Sequence, residues 1–131
     1  MRDDDLTSLF GPVISSYSRA QAIADGVLVD ISDTARAAQF KVPVAMTAAL
    51  WARCIETPAR VSRKVELVWT WNLLYRVHWA IQVGDRSSSR VAVEWDVPDG
   101  DGKTERVQFV AAIGPGDDAE PVITLMLHDE D

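Results

Sequence analysis

The sequence predicts an α+β fold. Three to four helices, one of them long and central, pack on a C-terminal three-stranded antiparallel meander, with a short fourth strand at 27–31. Three observations carry this expectation. Helix caps and breakers punctuate residues 18–56. One apolar pattern at spacings of three and four then runs to about Gln82. After Gly84 the period changes to alternation, with Val91, Val93, Trp95 and Val97 set against Arg90, Ala92, Glu94 and Asp96. A chain of 131 residues fits a single domain, 1–131, with a helical part over about 1–84 and a sheet part over about 88–128.

In chain order, Leu6, Leu9 and Phe10 can form one turn before Gly11-Pro12 breaks it. Ser18-Arg19-Ala20-Gln21 is a capping box, and Gly26 stands where a left-handed C-terminal cap is wanted, so a short helix spans about 19–25. Val27-Leu28-Val29 reads as a brief strand. Ser32-Asp33 caps a second short helix through Ala38, and a third helix begins near Val44 or Thr47 and reaches about Glu56. Thr57-Pro58 starts the long helix. There Leu67, Trp71, Leu74, His78 and Ile81 form one apolar stripe and Val61, Val65, Val68 and Trp69 a second, with Arg63, Glu66 and Thr70 on the wet side. Trp69 and Trp71 lie about 200° apart on a helix, so one of them belongs near the surface. Asp99-Gly100-Asp101-Gly102 closes a hairpin whose second strand alternates Val107, Phe109, Ala111 and Ile113. A loop over 114–118 leads to the apolar run Val122–Leu127, a strand expected to be covered on both faces.

The formal net charge is −7, from 13 basic and 20 acidic residues. It is unevenly spread: residues 1–49 carry −2, residues 50–90 carry +4 and residues 91–131 carry −9. The longest uncharged stretch, Leu6 to Ser18, is broken by Gly11-Pro12 and is shorter than the roughly 20 residues a spanning helix needs. Met1-Arg2 followed by three Asp does not make a signal peptide, so the expected location is the host-cell cytoplasm. The lone Cys54 excludes an internal disulfide and a thiolate zinc site.

The chemistry-bearing patterns are weak. In an EF-hand frame set on Gly102, Val97 and Gln108 fall where the first and last ligands belong, so Asp99 to Glu105 reads as a turn. Gly114-Pro115-Gly116 is followed by two Asp rather than the Lys-Ser/Thr of a phosphate loop. His78 and His128 have no nucleophile motif beside them, and a half-buried helix residue and an exposed strand end describe them better. Trp69, Trp71, Trp79 and Trp95 could line a binding groove, although core packing explains them more simply. No catalytic residue, metal site or cofactor is expected.

Leu9-Phe10-Gly11-Pro12-Val13-Ile14, the stretch from Tyr17 to Asp30, Phe40 to Thr47, Ile113 to Asp118 and Glu120 to Thr124 together resemble a family of small uncharacterised proteins encoded on bacterial plasmids, prophages and other mobile elements. The resemblance covers both ends of the chain and implies a genetic context, that of accessory genes, without an activity or catalytic residues.

Three functions follow. The first is a non-enzymatic acidic accessory protein that binds a host or phage protein, for example an anti-CRISPR inhibitor occupying a basic nucleic-acid channel. Its acidic face would be Asp99, Asp101, Asp117, Asp118, Glu120, Asp129 and Glu130. The second is nucleic-acid binding through a basic patch of Arg60, Arg63 and Lys64, joined by Arg86 and Arg90, which the overall charge opposes. The third is a small-molecule enzyme with Tyr17, Arg19, Asp25 and Asp30 around a cleft. The partner expected is a protein, with no membrane.

Overall fold

The computed structural model of the chain describes residues 17–56, 63–84, 87–98 and 104–130. Within them the order is α1 (Arg19–Ala24), β1 (Leu28–Asp30), α2 (Ser32–Ala37), β2 (Val44–Thr47), α3 (Ala48–Trp51) continuing as a π-helical turn (Ala52–Glu56), α4 (Arg63–Val83), β3 (Arg90–Pro98), β4 (Thr104–Pro115), β5 (Pro121–Leu127) and a closing 3-10 turn (His128–Glu130). The fold is α+β, with four α-helices among the described residues. The turn expected at 6–10, the Thr57-Pro58 helix start, Val61 and the tip of the β3–β4 hairpin lie outside them.

The N-terminal signals act as the residue types require. The Ser18 hydroxyl accepts from the Gln21 amide at 3.0 Å and the Gln21 side chain accepts from the Ser18 amide at 3.1 Å, satisfying two donors that an isolated helix leaves open. Gly26 ends the turn at φ 78°. The expected cap at Ser32-Asp33 is displaced by one residue. Ile31 occupies the cap position without a side-chain bond, and the Ser32 hydroxyl turns instead to β2, where it meets the Val44 amide and carbonyl.

The sheet departs from expectation. It is five-stranded and mixed, in the order β1-β2-β5-β4-β3, rather than a three-stranded antiparallel meander. The difference is β2, which takes residues assigned to the start of the third helix. Val44, Ala45 and Met46 are all buried, so they carry no alternation to betray a strand. β2 pairs antiparallel with β1 and parallel with β5, with Val44 opposite Ile123 and Met46 opposite Leu125. That makes β5 the middle strand, where a three-stranded meander would have left it at an edge. Thr47 then ends the strand and starts the helix, its hydroxyl accepting from the Leu50 amide at 3.3 Å.

One face of the sheet carries the main core: Met46, Val93, Val107, Phe109, Ala111 and Leu125 pack against Leu50, Cys54 and Ile55 and against Leu73, Leu74 and Val77 of α4. The buried residues Ala22, Ala45, Val110 and Val122 stand outside that cluster. The strand alternation puts the last three on the opposite face, beside α1. Arg19 fastens α1 there, donating to Thr124 Oγ1 at 2.7 Å and to the Ile123 carbonyl at 3.0 Å.

The long helix is rotated relative to its predicted stripe. Its buried residues are Thr70, Leu73, Leu74, Val77 and Ala80, while Leu67 and Trp71 face outward. Thr70, expected on the wet side, is buried, and its hydroxyl donates to the Glu66 carbonyl one turn back at 2.7 Å. A Thr that returns its own hydrogen bond to the helix can be buried at little cost. In a helix apolar nearly all round, spacing alone could not say which row faces the core.

Candidate functional site

Packing only one side of an all-round apolar helix leaves the other side apolar and open. Leu67, Trp71, Tyr75, Trp79 and Val83, spaced four apart, are 47%, 38%, 69%, 57% and 62% exposed, and Val68 beside them is exposed too. Residues four apart on a helix form a continuous ridge. Over 16 steps this one is about 24 Å long. Trp69 turns inward instead, edge-on to Trp95 with ring centroids 6.4 Å apart, so the surface member of the Trp69/Trp71 pair is Trp71.

The ridge borders a groove of about 490 Å³ between α4 and the edge strand β3, lined by Asn72, Tyr75, Arg76, Trp79, Glu94, Trp95, Asp96 and Arg106. The Ser89 carbonyl accepts from Ile113, so odd-numbered β3 residues bond to β4 and the even-numbered ones present their backbone to the open edge. Arg76 covers part of that edge. Its Nε donates to the Glu94 carbonyl at 3.0 Å while its guanidinium lies 5.5 Å from the centre of the Trp79 ring. Along the floor, Arg106 pairs with Asp96 at 2.9 Å and Glu94 at 3.4 Å, and Gln108 donates to Glu94 at 3.0 Å. The Arg106 hydrogen bond holds the Asp96 carboxyl below its ordinary value, and that carboxylate in turn raises Arg106. These groups are well exposed, so water screens the pairs and they add little to stability. The surface supplies flat aromatic faces, the amides of Asn72 and Gln108 and charges already matched to one another, which is the chemistry of contact.

The residues singled out from sequence are spread over the fold. Asp117 accepts from the Arg19 and Ala20 amides at 2.7 and 3.0 Å, capping α1 from the far end of the chain. Glu120 accepts from the Asp118 amide within the same turn. Glu130 accepts from the Thr47 hydroxyl at 2.7 Å and the Leu127 amide at 2.9 Å. Asp118 and Asp129 make no side-chain hydrogen bond or ion pair with the described residues. Asp117, Asp118 and Glu120 precede β5 while Asp129 and Glu130 follow it, so these two acidic groups sit at opposite ends of that strand. Asp99, Asp101, Arg60 and Arg86 lie outside the described residues; Arg63 and Lys64 are exposed in the first turn of α4.

The polar quartet near α1 has structural partners. Tyr17 donates to Asp25 at 3.1 Å, and partial burial together with that carboxylate raises the phenol above its ordinary value. Asp30 accepts from the Ser32 amide. Loss of water lowers the Arg19 guanidinium against the opposing pull of Asp30, Asp117 and Glu120. His78 stacks edge-on against Phe40 at 5.7 Å, and Cys54 is buried. No group of three or more metal-ligating side chains occurs among the described residues, and none of their helices is long and apolar enough to cross a membrane.

Tyr75, Arg76 and Val83 were not singled out from sequence, and Trp79 was expected in the core. A signal was available: an apolar row, 67-71-75-79-83, and a second apolar set, 73-74-77-80, share one helix, and one sheet face can cover only one of them.

No curated protein matches the chain, and no solved structure matches it. One family model does match, over residues 9–131, and so the chain belongs to the family of unknown function DUF6573.

Proposed function

We propose that this chain is a non-enzymatic accessory protein whose work is to bind another protein chain, with the outer row of α4 as the docking surface. One observation carries the reading: a full row of five large apolar side chains, three of them aromatic, stays exposed on the central helix. Exposed apolar patches of this size mark interaction sites, and Trp and Tyr are the usual anchors of such contacts.

The narrower form of the reading is an accessory protein of a mobile genetic element that inhibits a host defence complex, such as a CRISPR complex, by occupying a basic nucleic-acid channel. Its support is the net charge of −7, the free carboxylates of Asp118 and Asp129, and the resemblance of both ends of the chain to mobile-element proteins.

Affinity capture from the native host tests both forms, using wild type, Tyr75→Glu, and an Asp118→Asn/Asp129→Asn double variant. Docking through α4 predicts bound protein that survives high salt and is lost in Tyr75→Glu. Occupation of a basic channel predicts binding that weakens with salt and in the double variant. Capture that is insensitive to all these substitutions would remove the proposal.

A further inference from the structure

We infer that residues 9–14, which lie outside the described residues, are a strap laid over the outer face of the sheet, the face turned away from α4, where they close an apolar patch centred on Val110. The inference is independent of the docking role proposed for α4. On the outer face, strand pairing sets Ala92, Val110 and Met126 in one line across β3, β4 and β5, and Ala112 beside Thr124 in the next. Val110 is buried and Ala112 and Met126 are half-buried, yet Val110 stands outside the main core. A side chain shielded from water outside the core needs a cover of its own.

The helix beside it is spent elsewhere. α1 is the one described helix whose buried apolar residue, Ala22, stands outside the main core. Its first residue is held at β5, where Arg19 donates to Thr124 and to the Ile123 carbonyl, and Asp117 accepts from the Arg19 amide. From there it runs toward β1, which follows it in the chain. In the order β1-β2-β5 that path crosses two strand spacings, about 10 Å. Six residues of helix supply about 9 Å. The length of α1 is therefore used between β5 and β1, whereas Val110 belongs to β4, on the other side of β5.

Continued backward, the line of α1 brings the preceding residues over that other side. Ile14 stands three residues before Tyr17, roughly 10 Å of extended chain, enough to pass from β5 across β4. Residues 6–18 carry no charge, and Leu9, Phe10, Val13 and Ile14 are apolar. This stretch can settle on Val110, Ala112 and Met126 without burying an unpaired charge. Gly11-Pro12 in its middle disfavours a continuous helix and suits a strap. A segment tethered a few residues away also has an effective concentration in the millimolar range, which a separate chain does not match.

The test is thiol accessibility in the full-length chain. The thiol of Val110→Cys should be alkylated slowly, and adding Leu9→Asp with Phe10→Asp should speed it about ten-fold or more by opening the patch. Cys54, buried in the main core, should stay protected in the same chains and so report that the fold is intact. Position is read by oxidation without the Asp substitutions: of Val13→Cys and Ile14→Cys, each combined with Ala112→Cys, at least one should close a disulfide within a single chain at a yield independent of concentration.

A Val110→Cys thiol that reacts equally with and without the Asp pair overturns the strap. Disulfides that join two chains and grow with concentration also overturn it, by giving the patch to a second copy. If the Asp pair exposes Cys54 as well, the oxidation decides alone: closure within one chain supports the strap, and no closure in either combination removes it.

Discussion

The two sides of α4 are both largely apolar and have opposite fates. Leu73, Leu74, Val77 and Ala80 vanish into the core, while Leu67, Trp71, Tyr75, Trp79 and Val83 stay in water. Apolar character alone does not decide burial; the second surface does. The inner row has a sheet to meet, and among the described residues the outer row has none. The first therefore maintains the fold, and the second is available for contact.

The strongest way to break this contrast is to truncate neighbours on the two sides. Leu74→Ala should lower the unfolding free energy by about 2–5 kcal/mol, measured by chemical denaturation, because it removes a fully buried side chain from a packed interior. Tyr75→Ala, one residue on, should change it by no more than about 0.5 kcal/mol. Equal losses at both positions would mean that the outer row also supports the fold.

Dryness on the inner side gives a second probe. Burial pushes the Cys54 thiol from 9.0 up to about 12. The native state thus holds its proton where the unfolded chain releases it, so stability should be undiminished below about pH 9 and fall as pH rises toward 12. Cys54→Ala should remove that decline. In the native protein Cys54 should resist alkylation, whereas the thiol of a Tyr75→Cys chain should react freely.

The same division between engaged and free groups recurs among the acids, with smaller consequences. Asp117→Ala should cost about 1 kcal/mol, the worth of a helix cap, and should speed amide exchange in α1. Asp118→Ala should be silent within about 0.5 kcal/mol. If the two behave alike, the cap across the β4–β5 turn is not what anchors α1.

What the residues disclosed in advance follows the same physics. Local signals were legible: the Ser18 and Gln21 box, the left-handed Gly26, and the alternation of β3 and β4 each depend on neighbours a few positions away. That β5 is covered on both faces was legible from its nearly continuous apolar run, but its middle placement was not, because a three-stranded meander leaves it at an edge. β2 was not, because Val44-Ala45-Met46 is buried on both faces and lies against a helix start, so period and breaker conflict. The orientation of α4 was not, because a helix with two apolar rows has no preferred side until the sheet is assembled. The structural roles of Asp117 and Glu130 depend on partners that only the folded topology brings near, and no spacing announces them.

The parallel pairing of β2 with β5 has a consequence for how the chain reaches its fold. β1 and β2 join the rest of the sheet through β5 alone, a strand about 80 residues downstream, and such distant pairings close slowly because the intervening chain must first be ordered. Until β5 arrives, Val44 and Met46 have no neighbour on that side and the β1–β2 hairpin is too small to stand by itself. Folding should therefore be late and concerted, and deletion of β5 should detach the first two strands and uncover the β4 edge together.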